Sequence, residues 1–375
     1  MLQNELKAFA DKIMRLLNKE DLTREETKEM FCRVLRNQQP DLQQGAFLAA
    51  LTAKGESPEE IAGAWEAIYE VDTVRITPDV PQPLVENSGT GMDSFKTFNI
   101  STAAAIVAAA GGVYLAKHGA RAITSTCGAV DILEEVGIDV ECDAEVVKRS
   151  IERAGIGIFN GMSTNVHPRA LFRILSQIRF GTVLNIAGSL ANPALPRYGV
   201  RGVHSRRLVE PVAGVMKEIG YVKALVFHGS TGNGARGMDE ISTLGDTFIA
   251  DLNTGGRITT YTVNPEDFDI KRPHEEVLRP NLDRKQEALA FISLLAGRDH
   301  GPRYDIVCLN AAPIFYLTGH ARNLAEGFAR AVAAIESGCA LAKLREWVVA
   351  QNQVPTTGVR KIRSAAGGNR HRHRK

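Results

Sequence analysis

Apolar residues recur at helical spacing through the first 75 residues of the chain. Near the N-terminus they are Leu2, Leu6, Phe9, Ile13, Leu16 and Leu17. The segments Thr23-Arg-Glu-Glu26 and Ser57-Pro-Glu-Glu60 have the Ser/Thr-x-x-Glu form of a capping box, which marks a helix start. This pattern predicts a small all-helical domain over residues 1–75. Residues 168–177 have a helical pattern again, so we expect residues 165–185 to complete this domain and the two domains to share a cleft.

From residue 80 onward, β-branched runs alternate with helical stretches. The candidate strands are residues 113–116, 155–160, 200–204, 224–228 and 306–309. Alternation of this kind is typical of a mostly parallel sheet surrounded by helices. The expected fold class is therefore α/β, with a small all-helical N-terminal domain followed by a larger α/β domain over residues 80–350.

Composition narrows the possible functions only a little. Of the 375 residues 44% are hydrophobic, and 45 Lys and Arg against 43 Asp and Glu leave a net charge of +2. This balance gives no reason to expect binding to nucleic acid or to a membrane surface. The longest apolar run, residues 103–116, contains two glycines and is too short to span a bilayer. Five scattered cysteines without a C-x-x-C pair are typical of a reduced, cytoplasmic protein. The basic residues 360–375 are expected to form a disordered tail.

The segment Asn87-Ser-Gly-Thr-Gly-Met-Asp93 is the strongest chemical signal in the chain. Its glycines, Gly89 and Gly91, would let the backbone approach an anion closely. Ser101 or Thr102 then begins an Ala-rich helix, whose free N–H groups and dipole favour negative charge. The segment therefore predicts a site for a phosphorylated ligand.

Two later clusters add cations and carboxylates. Lys117 is a candidate partner for a phosphate or diphosphate, and Ser125 lies in a Ser/Thr-rich turn that offers hydroxyl and N–H groups to the same anion. His118 either contacts ligand or is hydrogen-bonded beside that turn. Asp239 and Glu240 follow a candidate strand and suit Mg²⁺, which takes oxygen ligands and shares them with substrate phosphates.

In combination these motifs resemble the anthranilate phosphoribosyltransferase family, within the nucleoside phosphorylase and phosphoribosyltransferase superfamily. The resemblance spans about residues 22–347 and is carried by Gly89-Thr-Gly-Met-Asp93, Phe98-Asn-Ile-Ser-Thr102, Lys117-His-Gly119, Asp131-Ile-Leu-Glu134, Asn192-Pro-Ala194 and Gly237-Met-Asp-Glu-Ile-Ser242. It implies a homodimer formed through the helical domain, with the active site in the interdomain cleft. It also implies transfer of the ribosyl 5-phosphate of phosphoribosyl diphosphate (PRPP) to the amine of anthranilate, with release of diphosphate.

The resemblance assigns roles to individual residues. The residues expected to bind PRPP are Gly89, Thr90, Gly91, Asp93, Asn99, Ser101, Thr102 and Lys117. Ser101, Asp239 and Glu240 are expected to bind Mg²⁺. No side chain is assigned as a nucleophile or a general acid or base, because the reaction requires mainly positioning and electrostatic stabilisation.

This chain departs from the family pattern at several positions, and most of them bear on the acceptor. Met92 replaces a glycine, Ala120 replaces an asparagine, and Leu175 stands where the family carries an arginine that meets the anthranilate carboxylate. Arg169, Arg173 and Arg179 are candidates for a substitute, or else are exposed arginines on a helix. Residues 230–236 form an insertion that is either a lid or acceptor contact, or a surface loop. The alternatives are therefore a different acceptor within the superfamily, or a non-catalytic relative that binds nucleotide or nucleic acid.

Overall fold

The computed structural model describes residues 2–122, 127–232, 234 and 236–352, and the N-terminal part of this chain is all helical. Its helices are α1 (Leu2–Leu17), α2 (Arg24–Leu35), α3 (Asp41–Lys54) and α4 (Pro58–Val71). Both predicted capping boxes are present. The Thr23 and Ser57 hydroxyls accept hydrogen bonds from the N–H groups of Glu26 and Glu60 at 3.2 and 3.3 Å, and the glutamate carboxylates accept the cap N–H groups in return.

An eight-stranded sheet forms the centre of the second part. Its strands are β1 (Leu84–Gly89), β2 (Tyr114–Gly119), β3 (Ile156–Asn160), β4 (Tyr198–Gly202), β5 (Lys223–Ser230), β6 (Gly237–Met238), β7 (Thr247–Leu252) and β8 (Ile258–Val263). The order is β3-β2-β1-β4-β5-β7-β8, with β6 paired to β5. The first five strands of this order pair in parallel, whereas β6, β7 and β8 are added antiparallel. The predicted mostly parallel sheet is confirmed.

Helices surround this sheet, as expected for the fold class. They are α5 (Ile100–Ala110), α6 (Ala129–Glu135), α7 (Ala144–Ala154), α8 (Leu171–Ile178), α9 (Val183–Leu190), α10 (Val209–Glu218), α11 (Arg284–Leu295), α12 (Pro302–Leu317), α13 (Leu324–Glu336) and α14 (Cys339–Ala350). Small residues let α5 and α12 approach closely, and a Cβ on Gly111 would clash with the ring of Phe315. Within the described ranges, no helix has both the length and the apolar character needed to cross a membrane.

One predicted strand is wrong. Residues 306–309 lie within helix α12 and do not pair with the sheet. This helix is buried nearly all round, so its apolar run lacks the 3.6-residue period that would distinguish it from a buried strand. The other four predicted strands coincide with β2, β3, β4 and β5, with shifts of a few residues at their ends.

Helices α8 and α9 pack against the N-terminal helices. Trp65 of α4 donates from its indole N–H to the carbonyl oxygen of Leu190 at 2.9 Å. The buried carboxylate of Asp72 accepts from the N–H groups of Arg169, Ala170 and Leu171 at 2.5–3.0 Å, and so holds the start of α8. This packing is what the expected contribution of residues 165–185 to the helical domain requires, although the domain limits themselves stay a prediction.

Candidate functional site

A pocket of about 480 Å³ lies between the carboxyl edge of the sheet and helices α8 and α9. Because β1, β2, β4 and β5 run in parallel, the loops that follow them meet at this edge. This volume is typical of a pocket that binds a small molecule. We refer to its two sides as the polar wall, made of residues 88–93, 96–102, 117 and 239–240, and the apolar wall, made of residues 171, 175, 181, 184 and 188.

The glycine-rich turn of the polar wall lies directly against Asp239. The Asp239 carboxylate accepts from the N–H of Gly91 at 2.7 Å and from the hydroxyl of Thr90 at 3.4 Å. A Cβ on Gly89 would lie 2.5 Å from this carboxylate, and a Cβ on Gly202 would overlap the Asp239 carbonyl oxygen. Glycine is therefore required at both positions for the two loops to meet. The role of Gly202 was missed from the sequence, although a glycine that ends a strand is a signal for close backbone approach.

Three carboxylates, those of Asp93, Asp239 and Glu240, line the polar wall. Burial, followed by repulsion from Asp239, raises the pKa of Asp93 to about 7 and also raises the pKa of Glu240 well above its ordinary value. Lys96 pairs with Asp93 at 2.9 Å, and the Ser101 N–H donates to Glu240 at 3.1 Å. Such a concentration of oxygen ligands fits a divalent cation.

These carboxylates do not form a closed metal cage. No group of three or more His, Cys, Asp or Glu side chains is arranged as one within residues 2–122, 127–232, 234 and 236–352. An incomplete donor set fits Mg²⁺, which usually retains water and takes further ligands from substrate phosphates. The residues present therefore fit a cation that arrives with its substrate.

Two polar atoms at the start of α5 have no partner in the described protein. They are the Oδ1 of Asn99 and the Oγ1 of Thr102, and both are buried. The Asn99 amide nitrogen, in contrast, donates to the carbonyl of Cys127 at 3.3 Å. Because buried polar atoms without partners are costly, an acceptor at Asn99 and a hydroxyl at Thr102 fit a ligand that supplies the missing hydrogen bonds.

Lys117 is almost fully buried at the end of β2. Its ammonium group donates to the carbonyl oxygen of Asn87 at 2.7 Å. Burial lowers its pKa to about 8, while Glu240 and Glu86 oppose this shift. Glu86 in turn forms a buried ion pair with Arg201 at 3.4 Å. Sequence reasoning missed this pair, because nothing in the spacing of residues 86 and 201 indicates that adjacent strands bring them together.

His118 also lines the pocket, in contact with a second buried histidine. Its Nε2 lies 3.0 Å from the Nε2 of His167, and its Nδ1 lies 3.1 Å from the carbonyl oxygen of Ser189. Burial, with repulsion from His167, lowers the pKa of His118 to about 3. His118 is therefore neutral at pH 7. The hydrogen-bonded histidine expected beside the turn is present, whereas contact of His118 with a ligand stays a prediction.

The three arginines expected to substitute for an acceptor-binding arginine do not line the pocket. Arg169 and Arg179 are exposed, and Arg173 donates to the side chain of Gln44 at 3.1 Å and to the carbonyl of Val34 at 3.0 Å. The Arg173 side chain thus packs into the helical domain, on the side of α8 that faces α2 and α3. Leu175 and Ala120, by contrast, both line the pocket.

The insertion at residues 230–236 lies behind the polar wall. The guanidinium of Arg236 forms an ion pair with Glu275 and stacks on Phe95, 5.1 Å from the ring centroid. The N–H of Phe95 donates to the Gly237 carbonyl at 3.1 Å. The described residues of the insertion do not line the pocket, so the interpretation as a surface loop fits better than a lid.

Of the residues predicted to bind PRPP or Mg²⁺, the structure places in this pocket Gly89, Thr90, Gly91, Asp93, Asn99, Ser101, Thr102, Lys117, Asp239 and Glu240. Ser125 lies outside the described residues. The roles of these residues stay predictions.

Comparison with known proteins identifies the family. Residues 10–71 match the glycosyl transferase family helical bundle domain, and residues 81–341 match the glycosyl transferase family a/b domain. The anthranilate phosphoribosyltransferase of Anaeromyxobacter dehalogenans (strain 2CP-C) is 39% identical over 341 residues, covering 90% of this chain and 97% of the relative. The chain belongs to the anthranilate phosphoribosyltransferase family.

Other members of the anthranilate phosphoribosyltransferase family extend this similarity. The Methanosarcina acetivorans protein is 37% identical over 342 residues, which cover 91% of this chain and 90% of the relative. The crystal structure of the Thermus thermophilus enzyme superposes with a TM-score of 0.79 at 32% identity, over 94% of this chain and 99% of that one. The Saccharomyces cerevisiae enzyme in complex with PRPP and Mg has the same fold, with a TM-score of 0.79 at 24% identity over 93% and 99% of the two chains. The predicted family and fold class are confirmed.

Proposed function

We propose that this protein is a Mg²⁺-dependent phosphoribosyltransferase that joins the ribosyl 5-phosphate of PRPP to the amino group of an aromatic amine and releases diphosphate. The observation that carries the proposal is the meeting of the glycine-rich turn, the start of α5, Lys117 and the Asp239-Glu240 pair in one pocket. The family relatives are named for anthranilate as acceptor, so anthranilate is the first acceptor to test.

The polar wall supplies what PRPP requires. Cleavage of the C1–O bond places positive charge on the ribosyl ring and negative charge on the departing diphosphate. Lys117 offers a cation to the diphosphate, and Gly89 and Gly91 let backbone N–H groups approach it. Asn99 and Thr102, whose side-chain oxygens lack partners, hydrogen-bond the ribose and its phosphate.

The carboxylates of Asp239 and Glu240, with Ser101, would hold Mg²⁺. Bound Mg²⁺ neutralises charge on the diphosphate leaving group. The Asp239 carboxylate accepts the Gly91 N–H, and we expect PRPP and the cation to replace this internal contact. The protein would then position the acceptor amine against C1 and exclude water from the reacting centre.

The experiment that tests this proposal is diphosphate release from PRPP by the purified protein. We expect release that depends on both Mg²⁺ and an aromatic amine, and that is lost on chelation. If no amine from a broad set stimulates release, the protein is not a phosphoribosyltransferase of aromatic amines. A second candidate, transfer to another class of acceptor, is favoured by the Leu175 and Ala120 pocket lining and would then be tested with N-heterocycles.

We also propose that the protein is a homodimer formed through its helical domain and acts in the cytoplasm. Large apolar side chains are exposed on the N-terminal helices: Met14 and Leu17 on α1, and Leu42 on α3, which is 89% exposed. Helices α1 and α3 pack against each other, and exposed apolar side chains on neighbouring helices are candidates for an interaction surface. Sedimentation should give twice the monomer mass, and Leu42→Glu with Leu17→Glu should shift it to the monomer.

A further inference from the structure

The apolar wall of the pocket offers hydrocarbon where the acceptor ring must lie. Leu171 and Leu184 are buried, and Leu175 reaches the pocket from the same side. The side chain of Met92, from the polar wall, packs on Gly181. A Cβ on Gly181 would lie 2.5 Å from the terminal methyl group of Met92. This side would bury an aromatic ring well, because its surface is almost entirely aliphatic.

Every described cation that lines the pocket already has a carboxylate or carbonyl partner. Lys96 contacts Asp93 and the Gly91 carbonyl, and Lys117 donates to the Asn87 carbonyl. Arg121 pairs with Glu134 at 2.8 Å and with Glu141 at 2.9 Å. Residues 123–126, which lie outside the described part, contain no Lys, Arg or His in their sequence.

The neutral donors beside the apolar wall are also engaged. The side-chain nitrogen of Asn185 donates to the Thr90 carbonyl oxygen at 3.5 Å. The Oδ1 of Asn185 accepts from the Thr182 N–H at 3.0 Å. The Ser189 hydroxyl donates to the Asn185 carbonyl at 2.6 Å and accepts from Arg201 at 2.8 Å. His118 is held between Ser189 and His167. Among the described residues beside the apolar wall, an anionic group on the acceptor would therefore lose its water and find these three side chains already engaged.

We propose that the acceptor of this enzyme is an aromatic amine without a carboxylate, bound through its ring to the apolar wall. The proposal rests on the phosphoribosyltransferase function above and narrows its substrate class. A carboxylated amine such as anthranilate would share the pocket with Asp93, Asp239 and Glu240. Of the lining cations within the described residues, Lys117 is assigned above to the diphosphate, and Lys96 and Arg121 pair with carboxylates. We expect this to lower kcat/KM by roughly 10- to 100-fold relative to an uncharged analogue, the size of a lost charge-assisted hydrogen bond.

The experiment compares matched acceptors on the full chain at saturating PRPP and Mg²⁺. Anthranilate, anthranilamide and methyl anthranilate carry the same ring and amine, and only the first is anionic at pH 7.5. Diphosphate release should give kcat/KM values about tenfold or more higher for the two uncharged amines than for anthranilate. Equal or greater kcat/KM for anthranilate would overturn the proposal and leave the phosphoribosyltransferase function standing. Failure of these three and of every other aromatic amine to stimulate release would overturn both.

The Leu175→Arg variant tests the physical cause. A guanidinium at residue 175 would supply the missing partner, so kcat/KM for anthranilate should rise about tenfold while that for anthranilamide does not. The matched control is Leu175→Met, which keeps the volume and should leave the order of acceptors unchanged. The KM for PRPP reports whether the pocket is intact in each variant. An increase for both acceptors alike would contradict the electrostatic explanation and overturn the proposal.

Discussion

The two walls of the pocket differ in how their side chains are satisfied. On the polar wall, three carboxylates crowd together and two buried oxygens at the start of α5 lack partners in the described protein, so that wall is complete only with a ligand. On the apolar wall, leucines pack and the neighbouring donors are engaged within the protein. The polar wall therefore fits a charged, metal-bound ligand, whereas we expect the apolar wall to select its ligand by shape and by exclusion of charge.

Neutralising the polar wall should have the largest effect. The double variant Asp239→Asn and Glu240→Gln should lower PRPP-dependent diphosphate release by about 10³-fold, because the metal ligands are lost. The midpoint of thermal unfolding should stay equal or rise, since the half-buried Asp239 carboxylate repels the buried carboxylate of Glu240. The control Asp246→Asn removes an exposed carboxylate and should keep full activity. Retention of more than about a tenth of the activity would contradict the metal site.

Titration of Lys117 should be the next largest effect. Because burial lowers its pKa to about 8, the lysine loses its charge as the pH rises through 8, and kcat/KM for PRPP should fall up to tenfold per pH unit above that value. Below pH 8 the charge is present, so this group imposes no loss there. In Lys117→Met, kcat/KM for PRPP should be about 100-fold lower and should no longer fall at alkaline pH. The control Lys285→Met changes an exposed lysine and should keep the fall in kcat/KM above pH 8. An unchanged pH profile in Lys117→Met would contradict the proposed role of Lys117 in binding the diphosphate.

Changing the apolar wall should affect the acceptor and spare PRPP. In Gly181→Ala the new methyl group would displace Met92, so KM for the acceptor should rise about three- to tenfold. Adding Met92→Ala to Gly181→Ala should return KM for the acceptor to its original value, because the clash between residues 92 and 181 is removed. Gly45→Ala, where a Cβ meets nothing within 4 Å, is the control. A comparable rise in KM for PRPP would show that the two walls do not act separately.

The smallest effect expected is on stability alone. The Thr182 hydroxyl caps α9 by accepting the Leu184 N–H at 3.2 Å. Thr182→Ala should lower the free energy of unfolding by about 1 kcal/mol, measured by urea denaturation. Thr52→Ala is a matched control, since its buried hydroxyl has no partner within the described residues and its loss should cost little. Equal destabilisation in both variants would argue against the cap.

Local signals predicted much of the fold. The capping boxes at Thr23 and Ser57 appear as predicted, because such contacts involve residues three positions apart. The error at residues 306–309 has the opposite cause. A run that is apolar on every side carries no period, and only its packing between the sheet and neighbouring helices decides between strand and helix.

The family, the fold class and the strands β2 to β5 could be predicted from the sequence alone. The chemistry expected of the polar wall also comes from the sequence, because glycines, carboxylates and a lysine in short motifs carry it within a few residues of each other. Only the tertiary structure decided which cations remain for the acceptor. The sequence offers Arg169, Arg173 and Arg179 as candidates. The fold exposes Arg169 and Arg179, and it directs Arg173 to Gln44. It likewise pairs Glu86 with Arg201 across neighbouring strands. Which charges are already paired depends on contacts between distant residues, and spacing along a chain does not record them.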